Sequence, residues 1–184
     1  MQQRRGVWLI GLCVAAGAAF ALFSASTEVP VDRGARAPDF TLPQLGSADP
    51  IRFGSLRGRV VLVNFWATWC KPCEDEMPAM QRLYDALRGS GFDLLAISVD
   101  EDSGLVESFR DRLGLRFPIL LDADQAVAHA YQTFRFPETL LVGADGEIVE
   151  RYVGPKEWDA EAYVARIRRL AEAAVPSAPG VGGS

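Results

Sequence analysis

The 184-residue sequence predicts an α/β protein with a mixed central sheet flanked by helices. Three observations carry the prediction. Val60 to Trp66 is a near-continuous apolar run rich in β-branched residues, the pattern of a strand buried on both faces, and an amphipathic helical segment follows it directly. A second such run spans Phe92 to Val99. Near the end, Thr139 to Val142 and Ile148 to Val153 flank Asp145-Gly146, a strong hairpin-turn signal.

The elements follow in order. Phe40-Thr41-Leu42 and Ile51-Arg52-Phe53 are short alternating stretches separated by Gly and Pro, which predicts an N-terminal hairpin. After the Val60–Trp66 strand, Met80, Leu83, Tyr84 and Leu87 fall at helical spacing, and Gly89 and Gly91 supply the stop. Leu105, Phe109 and Leu113 stand one turn apart and are closed by Gly114. Phe117 to Leu121 reads as a short strand and Ala126 to Tyr131 as a short helix. The last helix is expected from Glu157 to Ala173, with Tyr163, Ile167, Leu170 and Ala174 on one face. The order β-β-β-α-β-α-β-α-β-β-α places helices on both faces of a mixed sheet.

The flanks differ in composition. Arg4 and Arg5 precede an uncharged, mostly apolar run from Val7 to Phe23, and the first acidic residue is Glu28. As a helix the run would span roughly 25 Å, slightly under a hydrocarbon core. Residues 1–26 are therefore expected to be a signal peptide, cleaved near Ser24-Ala25-Ser26, or a membrane anchor over residues 7–26. Lipid attachment at Cys13 is disfavoured by bulky Leu12, and the paired arginines lack the usual flanks of a twin-arginine signal. Each route puts the chain outside the cytoplasm, in the periplasm or its equivalent. Residues 27–38 read as a linker, 39–175 as the folded domain and 176–184 as a disordered Pro/Gly/Ser-rich tail. A net charge of −5 with no basic patch argues against nucleic acid as a partner.

Chemistry concentrates at Cys70-Lys71-Pro72-Cys73, which holds two of the three cysteines. Residues three apart close a disulfide only where the backbone turns tightly, as in the first turn of a helix. With a strand ending near Trp66, Cys70 falls at a helix N-terminus, where unpaired N–H groups and the macrodipole favour a thiolate. Lys71 adds positive charge, Pro72 fits the first turn, and Cys73 is the natural resolving thiol. Other readings of the pair are weaker. A structural disulfide in so small a loop constrains the unfolded chain little. Zinc needs a second ligand pair, which Cys13 and His129 do not offer, so no metal or other cofactor is expected. Two inert buried thiols fit poorly with the following Glu74-Asp75-Glu76. Trp66 is expected in the core and Trp69 at the rim, contacting partners. His129, among alanines, reads as a partly buried structural histidine.

The run Asn64-Phe65-Trp66-Ala67-Thr68-Trp69-Cys70-Lys71-Pro72-Cys73, with Glu76-Met77-Pro78, resembles the membrane-tethered thioredoxins of the TlpA/ResA type within the AhpC/TSA–redoxin superfamily. Phe136-Pro137-Glu138-Thr139-Leu140-Leu141-Val142 followed by Asp145-Gly146 carries the same resemblance, which extends over residues 36–173. It implies a thioredoxin-like fold with an added N-terminal β-hairpin and a central βα insertion. It implies an extracytoplasmic reductase of protein disulfides, with apocytochrome c in cytochrome c maturation as a candidate substrate and a membrane electron-donor thiol protein to re-reduce it. It makes Pro137 a cis-proline packed on the redox pair and Glu76 an acid that tunes the cysteines and assists proton transfer. Glu76 read alone also fits an acid complementing the helix dipole. Where common thioredoxins carry a buried Asp this chain has Asn64, which cannot titrate and raises the stake on Glu76. Trp69, Lys71, Pro72 and Phe136 are the candidate partner contacts, and a bulky Phe136 with Phe134 nearby departs from the small or β-branched residue expected before the cis-proline. Competing functions are an oxidase that donates its disulfide, a peroxiredoxin-like peroxidase and a copper-binding chaperone. A peroxiredoxin has Thr three residues before its Cys, whereas Thr68 is two before Cys70, and copper chaperones space their cysteines by three residues rather than two.

Overall fold

The computed structural model describes residues 30–174, which from Val31 onward form one compact unit. The expectations for residues 1–26 and 176–184 lie outside them. Among the described residues no helix is long and apolar enough to cross a membrane.

β1 (Thr41–Leu42) and β2 (Ile51–Arg52) pair antiparallel as the expected hairpin, and Phe53–Leu56 follow as one 3-10 turn. The main sheet holds β3 (Val60–Trp66), β4 (Phe92–Ser98), β5 (Ile119–Leu121), β6 (Glu138–Val142) and β7 (Ile148–Val153). Its order is β5-β4-β3-β6-β7; β3, β4 and β5 run parallel, and β6 and β7 run antiparallel to their neighbours. The helices are α1 (Lys71–Leu87), α2 (Ser103–Leu113), α3 (Ala126–Ala130) and α4 (Glu161–Ala174). β5 and α3 lie between α2 and β6 in the chain.

All seven residues of β3 are buried, which is why its sequence does not alternate: each face meets a layer. On the face of Asn64 lie α1 and α4, which touch each other as well as β3. On the opposite face Phe65 meets Tyr131 at the end of α3, and Tyr131 meets Phe40 of the hairpin, whose ring stacks on Phe53 at 5.1 Å.

Several expectations shift. Residues 31–38, expected as linker, are hydrogen-bonded into the domain: Gly34 N–H donates to Ile148 O at 2.8 Å, Ile148 N–H to Ala35 O at 2.8 Å, and Ala37 is buried. They lie along the β7 side of the sheet, where open backbone groups invite pairing. In α2 the buried residues are Val106 and Phe109, while Leu105 is 55% exposed, so the helix is turned by about one position from the expected stripe. α4 begins at Glu161 rather than Glu157, because Glu157 to Ala160 form a separate turn that buries Trp158 completely. His129 is exposed, its ring 5.9 Å from that of Phe134, rather than partly buried.

Candidate active site

The topology brings two chain segments to one end of the sheet. β3 ends at Trp66, and antiparallel β6 begins at the same end, with Glu138 opposite Phe65. The Cys70 turn and Pro137 are therefore neighbours by sheet register, although 67 positions separate them in sequence.

Cys70 occupies the N-cap of α1 with extended backbone angles (φ −89°, ψ 98°), and its sulfur accepts from Cys73 N–H at 3.3 Å. The two sulfurs are disulfide-bonded across a Cα separation of 5.3 Å. Cys70 retains 6% exposure and Cys73 none, so of the two only Cys70 reaches the surface at all. Pro72 is exposed in the first turn, where its missing N–H costs nothing. Lys71 is exposed too, but its ammonium sits 2.7 Å from Asp75 and 3.8 Å from Glu74 on its own helix. The hydrogen bond from Lys71 to Asp75 raises the lysine pKa. The charge expected to act on the thiol is thus largely engaged beside it.

The turn between β3 and α1 is pinned from β4. The buried Asp100 carboxylate accepts from Thr68 N–H at 2.9 Å, from the Thr68 hydroxyl at 2.6 Å and from the Ser98 hydroxyl at 2.7 Å. This clamp precedes Cys70 by two residues. Trp69, next in the turn, is 70% exposed and meets Phe136 edge-on at 6.0 Å, while Trp66 is buried. The Phe136–Pro137 peptide is cis. Phe136 is half-buried and Phe134 is 70% exposed, so the aromatic surface beside Cys70 runs from Trp69 through Phe136.

Glu76 lies one turn beyond Cys73 on the inner face of α1 and is only 3% exposed. Its Oε1 accepts from the Asn64 amide at 3.0 Å; its Oε2 accepts from Lys156 N–H and from the Trp158 indole N–H, each at 3.0 Å. The Asn64 amide also donates to Thr139 Oγ1 at 2.9 Å. Burial pushes the Glu76 pKa up, and the three donors pull against it without cancelling it. Sequence reasoning singled out Asn64 and Glu76 but missed Trp158, Lys156, Thr139 and Asp100. Trp158 carried a signal, an isolated Trp just before a helix, but the early helix start assigned there hid it.

Residues 33–151 match the AhpC/TSA family. The chain belongs to that family. Within it, the chain is 42% identical over 132 residues to the thiol-disulfide oxidoreductase ResA of Geobacillus kaustophilus (strain HTA426), covering 72% of this chain and 74% of that protein. The ResA of Bacillus subtilis (strain 168) is 32% identical over 151 residues, 82% of this chain and 83% of that protein. Among solved structures, a thiol:disulfide interchange protein of the thioredoxin family from Chlorobium tepidum TLS superposes with a TM-score of 0.65 at 26% identity, covering 74% of this chain and 97% of that one. This AhpC/TSA member is a ResA-type thiol–disulfide oxidoreductase with a thioredoxin-like fold, and Cys70–Cys73 is its CxxC disulfide.

Proposed function

We propose that this oxidoreductase works outside the cytoplasm as a reductase of protein disulfides, tethered through residues 7–26, with apocytochrome c as a substrate and a membrane thiol protein as electron donor. The observation that supports this most is the asymmetry of the pair. Cys70 has its sulfur at the helix N-terminus and keeps a small exposed surface, while Cys73 is sealed. In the dithiol form the Cys70 thiolate attacks one sulfur of the target disulfide, forming a mixed disulfide and expelling the target's other sulfur as a thiolate. Cys73, deprotonated, then attacks Cys70 Sγ, closing the disulfide seen here and releasing the second target thiolate. Two electrons pass to the target, and the two protons of the dithiol finish on its thiols.

Glu76 is the nearest buried acid on the helix that carries Cys73, and we assign it the proton taken from that thiol. Pro137 and Phe136 form the wall against which the target's backbone lies, and Trp69, Lys71 and Pro72 form the exposed rim.

The reduction potential tests the direction. It is read from the fluorescence of Trp66, Trp69 and Trp158 in thiol buffers, using a piece that keeps residue 31 onward because residues 34–37 are hydrogen-bonded into the domain. A potential near or below about −250 mV is expected of a reductase, whereas about −120 mV would make the protein a disulfide donor. A Cys73→Ser variant, which stalls at the mixed disulfide, identifies the target.

A further inference from the structure

Glu76 meets its donors unevenly. Oε2 receives the Lys156 backbone N–H and the Trp158 indole N–H, neither of which can do anything but donate. A proton arriving on Glu76 is therefore excluded from Oε2 and must sit on Oε1. There it confronts the Asn64 N–H that now donates to the same oxygen at 3.0 Å, and two donors would face each other. A side-chain amide, alone among the three partners, can resolve this. Its N–H₂ and C=O ends are nearly the same size, and which end points where is decided by the hydrogen bonds on offer.

The remaining contacts of Asn64 fit such a turn. Thr139 Oγ1, 2.9 Å from the same end of the amide, is a hydroxyl and accepts or donates equally well. The other end, Oδ1, is buried with no partner among the described residues. Turning the amide over would give Oδ1 two donors, the Glu76 acid and the Thr139 hydroxyl, and leave N–H₂ in the unpaired place. Each orientation strands one end of the amide, so neither is locked.

We propose that Asn64 is the positioning residue for the Glu76 proton: its amide offers N–H to the carboxylate and turns over to offer C=O to the carboxylic acid. The exchange needs no movement of heavy atoms beyond the amide's own rotation, so a sealed acid beside the redox pair can take up and give back a proton. This rests on the proton role assigned to Glu76 under the reductase reading, but its test does not depend on the direction of electron flow. Among the described residues the groups facing Glu76 are few. Cys73 on α1 is in a disulfide and does not titrate in the oxidised form. Asn64 comes from β3 and Thr139 from β6. Trp158 and Lys156 come from the segment before α4, and the Lys156 ammonium is held by the carbonyls of Val153, Gly154 and Pro155.

Asn64 is the only asparagine in the sequence, so asparagine-selective ¹⁵N labelling yields one side-chain amide pair. The experiment uses the full-length oxidised chain in detergent micelles, titrated while the Asn64 amide resonances and the Glu76 carboxyl carbon are followed together. The expected result is one shared titration midpoint. The Glu76→Gln variant is expected to hold the amide at its acid-limit position at every pH, because the introduced carboxamide would donate as the acid does. Amide resonances that stay put while Glu76 titrates would overturn the proposal and leave the reductase reading intact. So would a Glu76→Gln spectrum at the alkaline limit. A disulfide-donor potential would overturn the reductase reading and leave this one standing.

Discussion

Glu76 and Glu138 are both buried carboxylates near the redox end of the sheet, at 3% and 4% exposure, and they are satisfied in opposite ways. Glu138, the residue after Pro137, accepts from Arg151 Nε at 2.8 Å in an ion pair whose side chains are 5% and 13% exposed. The same guanidinium donates to the carbonyls of Val31, Tyr131 and Gln132 and to the Thr133 hydroxyl. One cation thus ties β7 to the start of β6, to the turn that leads into Phe134 and Phe136, and to the N-terminal segment. Among the described residues Glu76 has three donors and no cation in direct contact. A buried charge with a counter-ion holds architecture in place. A buried charge with only neutral donors can still gain or lose a proton at modest cost, which suits the side of the site that must move protons.

The sharpest way to break this comparison is to remove the cation. Arg151→Met leaves Glu138 buried and unpaired and strips donors from three carbonyls. Loss of about 3–5 kcal/mol is expected from such a change, read as a lower urea midpoint in the oxidised protein. Glu138→Gln keeps an acceptor for Arg151 and should cost less than Arg151→Met. Equal losses would show that the carbonyl contacts contribute nothing and that the ion pair is the whole effect.

A smaller effect, with a defined pH window, is expected at Glu76. Its folded pKa is raised above its ordinary value of 4.5, chiefly by burial, so the native state binds the proton more tightly than the unfolded chain does. Stability is then greatest below about pH 4.5 as far as this group is concerned, and falls as pH rises through the raised folded pKa. Glu76→Gln, which cannot ionise, should lack that decline. The difference in urea midpoint between the two proteins should grow in favour of the variant across the window and flatten above it. Each tenfold difference in proton affinity corresponds to about 1.4 kcal/mol. A difference that grew in the other direction would mean that the three donors outweigh burial and that Glu76 is held as a permanent carboxylate.

This contrast between the two glutamates was only half legible in the sequence. The strands, the redox helix and the Asp145-Gly146 hairpin could be read because hydrophobic periodicity and turn chemistry are local signals. Cys70, Cys73 and Glu76 could be read because they share one helix. The partners of Glu76 could not: Lys156 and Trp158 reach it across sequence separations of 80 and 82, and they act through a backbone N–H and an indole whose local pattern predicts nothing about their target. Arg151 alternates within an edge strand much as a solvent-facing arginine would, and only the tertiary arrangement shows it turned onto Glu138. The packing of residues 31–38 was hidden for a related reason, since the segment's partner is the edge of β7 and its own composition is that of a linker. Leu105 was misplaced because helical spacing fixes a stripe only to within one residue when both Leu105 and Val106 are apolar.

The smallest expected effect lies at Lys71, the one cation adjacent in sequence to the redox pair. A positive charge there would favour the Cys70 thiolate if its field reached the sulfur unshared. Its ammonium instead stands 2.7 Å from Asp75, is exposed to water, and belongs to a chain of surface ions that continues from Glu74 to Arg112 at 2.9 Å. Solvent and counter-charge both screen such a group. Lys71→Gln is therefore expected to leave the reduction potential of Cys70–Cys73 within about 30 mV of the parent, the interval that marks a tenfold change in the two-electron equilibrium. The comparison with Glu76 sharpens if this holds: the sealed network of neutral donors would govern proton traffic at the pair, and the cation adjacent in sequence would not. A larger shift toward a more reducing potential in Lys71→Gln would show that the ammonium acts on Cys70 despite Asp75, and that the polarity of the site is set from its surface rather than from beneath.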